Sequence, residues 1–140
     1  MTSAADIPTI RETTKVIALV GFSNKPERAS HRVARFLAER GYRVIPVNPG
    51  LAGQDFMGET IVADIASIPK EAQVDMLEVF RRSESIPAVV AAALSDLPDL
   101  KTIWLQLGVT SAKAAQMAAE RGLAFVEDRC PKMELERPVG

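Results

Sequence analysis

Val16-Ile17-Ala18-Leu19-Val20-Gly21 is a continuous apolar run, rich in β-branched residues and stopped by glycine. Such a run fits a strand buried on both faces of a parallel sheet, and between its punctuation it is too short for a helix. Downstream, Val33, Ala34, Phe36, Leu37 and Ala38 recur near helical spacing across residues 30–40, and Gly41 stands where a C-terminal cap belongs. Arg43-Val44-Ile45-Pro46-Val47 reads as a second strand, stopped by Asn48-Pro49-Gly50. The stretch from Val16 to Gly50 is therefore one strand–helix–strand unit.

The same rhythm continues. Residues 51–60 contain Gly53 and Gly58 and read as a loop, and residues 64–70 as a short connection holding Pro69. Residues 74–79 predict a third strand, 86–94 a helix, 102–106 a fourth strand, and 123–126 a last short one. Residues 111–121, rich in Ala with Thr110 or Ser111 as N-cap and Gly122 following, predict another helix. Alternating strands and helices imply an α/β, Rossmann-like three-layer fold: an open, mainly parallel five-stranded sheet with helices on both faces. Residues 1–15 read as a leader packing on the domain, 16–134 as the domain itself, and 135–140 as a tail without clear structure.

Composition narrows the function classes. The chain of 140 residues has room for one domain, and 47% hydrophobic with 25% charged residues is ordinary globular usage. With 17 basic and 18 acidic residues, the net charge of −1 gives no global field toward nucleic acid or an anionic membrane. A single cysteine, Cys130, and no signal-peptide pattern point to the cytoplasm, and no apolar run approaches the ~20 residues of a membrane span. One His and one Cys cannot build a His/Cys metal site, and no nucleophile–base motif is present.

In open parallel sheets, ligands bind at the carboxyl ends of the strands. The first such loop runs from Gly21 to Ser30. It keeps one glycine of a dinucleotide fingerprint, with Ser23 and Pro26 at the other glycine places, and it lacks the Walker pattern. Ser23 offers a hydroxyl. Lys25, Arg28 and Arg32 place cations at a helix start, where the dipole disfavours them unless an anion intervenes. The alternative is solvated charge tempered by Glu27; His31 reads as a packing or surface residue. At the second strand end, Asn48 replaces the carboxylate that a nicotinamide dinucleotide's ribose would want, and Pro49 can lie flat against a purine; a plain Asn-Pro-Gly turn is the alternative. Val79-Phe80-Arg81-Arg82 joins an apolar wall to two cations. Gln106 points an amide at the crevice, Gly108 permits close backbone approach, and Trp104 reads as core. Cys130 lies between the cations Arg129 and Lys132, with Asp128 opposing them.

Taken in order, Val20-Gly21-x-Ser23, Pro26-x-Arg28-x-Ser30, Gly41-Tyr42-x-Val44-x-Pro46-Val47-Asn48-Pro49, Gly58, Val79-Phe80-Arg81, Gln106-x-Gly108 and Asp128-Arg129-Cys130 resemble the small single-domain CoA-binding proteins. These are relatives of the CoA-binding domain in the succinyl-CoA synthetase α subunit, and the likeness runs from about Val16 to Glu134. The resemblance implies CoA as ligand. Its phosphates would lie on Gly21, Phe22, Ser23, Lys25 and Arg28, and its adenosine between Asn48-Pro49 and Val79-Phe80-Arg81. The pantetheine arm would pass Gln106 and Gly108, with Cys130 facing the thiol; Phe22 stands where the family often has a small residue.

The expectation is a non-catalytic CoA- or acyl-CoA-binding protein, since the synthetase's phosphohistidine domain has no counterpart here. Its partners would be a second copy or a separately encoded acyl-CoA enzyme, with no nucleic acid and no membrane. The alternatives are a small NAD(P)-binding oxidoreductase subunit, or an oligomerisation module with an empty crevice.

Overall fold

The computed structural model describes residues 7–136. The run that opens the sequence reading is β1 (Val16–Val20), and it lies inside the sheet with a parallel neighbour on each side. One neighbour is β2 (Arg43–Val47), reached through helix α2 (Ala29–Glu39). Next, a two-residue antiparallel pair, β3 (Asp55–Phe56) and β4 (Glu59–Thr60), makes a small hairpin. The chain then crosses to the other side of β1 as β5 (Met76–Val79), followed by α3 (Ile86–Asp96), β6 (Thr102–Leu105), α4 (Ala112–Glu120) and β7 (Ala124–Val126). The five-stranded sheet has the order β2-β1-β5-β6-β7, and all four of its ladders are parallel. Strand order reverses at β1, so its carboxyl end faces the crevice between the two halves.

Alternate residues along each strand divide the core in two. Ile17 and Leu19, Met76, Trp104 and Val126 face α2, together with an N-terminal helix α1 (Ile7–Thr13) and a C-terminal one, α5 (Pro131–Glu134). Ala18 and Val20, Leu77 and Val79, Ile103 and Leu105 face α3 and α4. This is the expected three-layer arrangement. Helix α4 starts as its sequence predicts, with the Ser111 hydroxyl accepting from the Ala114 N–H at 3.0 Å.

Several boundaries differ from the sequence reading. The third strand begins at Met76, because Asp75 turns its carboxylate to the sheet's amino end and accepts from the N–H groups of Lys15 and Val16 at 3.0 and 3.1 Å. Within the expected loop at 51–60, the hairpin turns on Met57 and Gly58, both at positive φ. The leader is helical where it is described, with Ile7 and Ile10 buried; residues 1–6 of it lie outside the described residues. The predicted tail is corrected at its start. Leu135 is fully buried, and its carbonyl accepts from the Tyr42 hydroxyl at 2.9 Å; residues 137–140 lie outside the described residues. No described helix is long and apolar enough to cross a membrane.

Candidate functional site

The site grows from the end of β1. Gly21 has φ +89°, and a Cβ there would stand 2.2 Å from the Phe80 carbonyl oxygen, so only glycine lets the first loop pass against the end of β5. The N–H groups of Gly21 and Phe22 both reach the Val47 carbonyl, at 3.1 and 3.3 Å, which pins the loop to the end of β2. Asn48 tightens the same joint. Its Nδ2 donates to the Phe22 carbonyl at 2.7 Å, and its Oδ1 accepts from the Gly50 N–H at 2.7 Å. The Asn48 amide thus builds the Asn-Pro-Gly turn offered as the alternative, and ties that turn to the first loop through Phe22.

His31 supports the loop from beneath. It is buried, its Nδ1 lies 3.0 Å from the Ser23 carbonyl, and its ring stacks on Phe22 and meets Phe56 edge-on. A carbonyl partner requires the proton on Nδ1, leaving Nε2 to accept from Arg35 at 3.5 Å. Of the two roles read for His31, packing or surface, it has the packing one.

Around this scaffold lies a cavity of about 510 Å³, lined by Gly21, Phe22, Ser23, Lys25, Arg28, Asn48, Pro49, Phe80 and Arg81 together with Ala29 and Ser30. Lys25, Arg28 and Arg81 are exposed, and none takes part in an ion pair among the described residues. Helix α2 opens on this cavity with Arg28 at its N-cap making no side-chain capping bond, and with no acidic residue in its first turn. Unanswered N–H groups, a positive dipole end and free cations together favour an anion there. Arg32, counted among these cations from sequence, turns back to donate to the Glu27 carbonyl and leaves the cavity.

Ala29 is shared with a second cavity, of about 700 Å³, which runs between α2 and α5 and is walled by Val33, Phe36, Leu107 and Met133. Gln106 and Cys130 line it, and the buried Gln106 Oε1 has no hydrogen-bond partner. Two predicted residues lie elsewhere. Val79 is fully buried in the α3 and α4 side of the core, because the strand's alternation turns it away from the crevice. Gly108, at φ +85°, lends its N–H to the Asp128 carboxylate at 2.7 Å and lines neither cavity.

Two features escaped the sequence reading. An apolar groove of about 520 Å³ lies between α3 and the turn at 65–67, and it meets the first cavity at Pro49 and Arg81. Its walls are Ile65 on the turn and Ala88, Val89 and Ala92 on α3. The other is Glu78. It is wholly buried between Leu19 of β1 and Trp104 of β6, and neither carboxylate oxygen has a partner. Burial, helped by the negative charge that Cys130 can carry, holds this carboxyl well above the usual carboxylate range, and the neighbouring Val79 backbone N–H, too poorly aligned to be a full hydrogen bond, offsets only part of that. No group of His, Cys, Asp and Glu among the described residues is placed to hold a metal ion.

Comparison with known proteins extends this geometry. A family model described as "CoA binding domain" matches residues 15–136. The uncharacterized protein YneT of Bacillus subtilis is 36% identical over 131 residues, spanning 94% of this chain and 93% of that protein. Two solved structures superpose with a TM-score of 0.85 at 32% identity. One is Prb, a redesign of the PH1109 protein for binding, covering 96% of this chain and 90% of its own. The other is the Thermus thermophilus protein cell-free ID.343, covering 95% and 96%.

Proposed function

The chain belongs to the CoA binding domain family, and from that premise we propose that it holds coenzyme A or an acyl-CoA at the carboxyl ends of β1, β2, β5 and β6. The phosphates sit on the Ser23–Arg28 loop and the start of α2. The adenosine lies against Pro49 and Arg81, with the apolar groove beside α3 receiving the base. The uncharged arm passes Ala29 into the second cavity and brings its sulfur toward Gln106 and Cys130. The protein holds the ligand without transforming its acyl group, works in the cytoplasm, and serves a second copy or a separate acyl-CoA enzyme.

One observation carries this reading: free cations at an uncapped helix start share Ala29 with an apolar cavity. A ligand charged at one end and uncharged along the other fits that pair better than a uniformly polar one. The Asn48 amide, engaged with Phe22 and Gly50, also offers a nicotinamide dinucleotide's ribose no carboxylate.

Calorimetric titration with CoA, dephospho-CoA and NAD tests the reading. CoA is expected to bind, and Arg28→Ala to weaken it by about 1–3 kcal/mol, the size of a charge-assisted contact. Binding of NAD without CoA overturns the ligand; binding of neither leaves the crevice to an interaction module.

A further inference from the structure

The second cavity is larger than the one at the phosphate loop. At about 700 Å³ against about 510 Å³, it lies within the ~300–1,000 Å³ that takes a whole small ligand. Ala29, Arg32, Val33 and Phe36 line it at helical spacing, so it runs two turns along α2, about 10 Å, from the residue it shares with the first cavity. CoA without an acyl group would bring only the thiol end of its arm there.

Among the described residues, the exposed large hydrophobic side chains are Met57, Leu107 and Met133, and the last two, 62% and 81% exposed, both line this cavity. Exposed apolar groups gathered on one concave surface mark a place that an apolar ligand covers. Leu107 is presented by a rigid turn. The Val109 N–H donates to the Gln106 carbonyl at 2.9 Å, Gly108 takes the positive φ that the turn requires, and its N–H donates to the Asp128 carboxylate at 2.7 Å. Met133, on α5, adds an unbranched side chain that adapts to what it meets. The half-buried Phe36 ring lies 4.4 Å under the Arg40 guanidinium. The cavity's charged residues are already engaged: Arg32 donates to the Glu27 carbonyl, Lys132 Nζ lies 5.6 Å from the Phe36 centroid, and Glu136 faces Arg40 at 3.6 Å. Their engagement favours an uncharged occupant.

We propose that the second cavity is an acyl pocket: the protein takes CoA thioesters of uncharged, apolar acyl groups, with the chain lying against Phe36, Leu107 and Met133. The pocket presupposes the CoA reading and narrows the ligand to one class of thioester. With the thioester sulfur at Gln106 and Cys130, the chain replaces water on the two exposed side chains, and affinity grows with each methylene that the walls cover. Free CoA leaves both side chains wet.

Calorimetric titration with CoA, acetyl-CoA, butanoyl-CoA, hexanoyl-CoA and succinyl-CoA tests the pocket. Each added methylene is expected to tighten binding by about two- to fourfold, the upper figure being full burial, so that hexanoyl-CoA binds at least about tenfold tighter than acetyl-CoA. Succinyl-CoA matches butanoyl-CoA in carbon count but ends in a carboxylate, and it is expected to bind the more weakly of the two. In the double variant Leu107→Ser with Met133→Ser, the hexanoyl-to-acetyl ratio is expected to fall to within about threefold of one. Both side chains are exposed, which spares the fold. Affinity that ignores chain length while CoA binds overturns the pocket and leaves the CoA reading standing. A ratio that survives the double variant also overturns the pocket, as does succinyl-CoA binding tighter than butanoyl-CoA. Binding of none of the five overturns the CoA reading itself, and the pocket with it. Sedimentation velocity identifies the other occupant: with a flat ratio, a dimer that the double variant dissolves assigns Leu107 and Met133 to a second copy of the chain.

Discussion

Gly21 and Glu78 show how single positions bind the site to the sheet. A side chain at residue 21 meets both a φ of +89° and the Phe80 carbonyl at 2.2 Å, so the ends of β1 and β5 must part to admit it. Gly21→Ala is expected to lower stability by about 1–3 kcal/mol, from the strained backbone alone, and to weaken ligand binding with it; thermal unfolding with and without CoA measures both. Glu78 acts through protons. Because burial raises its carboxyl, the folded protein keeps a proton that the unfolded chain releases from about pH 4 upward. Stability from this group is complete below that range and falls as pH rises through the folded-state value. Glu78→Gln cannot ionise. Urea unfolding at a series of pH values should show the two proteins converging in acid, and the variant increasingly the more stable toward neutral and alkaline pH.

Among the elements, β1, α2, β2 and α4 were legible because their apolar spacing, caps and stops agree with one another. The β3–β4 hairpin was not. Two-residue strands carry no period, and Met57, at φ 50°, is a residue that gives no turn signal. The site was legible as a set of strand ends, since the loops after β1, β2 and β5 do converge on one cavity. What spacing could not show was which way each side chain turns. Val79 was read as a ligand residue from its place in Val79-Phe80-Arg81, yet strand alternation carries it into the core. Glu78 was hidden for the opposite reason: in a sheet covered on both faces, a charged residue in a strand has no solvent side to occupy. Arg28 stood out because a cation at a helix start is conspicuous in sequence; it lines the first cavity, and the Arg28→Ala titration measures what that signal is worth.

Across the whole molecule, the first and last described helices meet on the α2 face of the sheet. Arg11 Nε donates to the Glu134 carbonyl at 3.1 Å, and Leu135 lies fully buried in the same cluster as Ile7 and Ile10. Leu135→Ala is expected to destabilise the domain by about 2–5 kcal/mol, the range for emptying a buried leucine site, as read from chemical unfolding. That closure has a topological consequence. With α1 and α5 already side by side, a short linker from residue 136 to residue 7 joins the chain into a ring without disturbing either core. The ring can then be opened at Gly53, which is exposed and has nothing within 4 Å of an added Cβ, at the cost of the bond from its N–H to the Ile61 carbonyl at 2.8 Å. Such a circular permutant is expected to keep the parallel sheet and its ligand crevice, with circular dichroism and CoA titration as the checks. The sheet's register would then be a property of which surfaces fit, independent of the order in which its strands leave the ribosome.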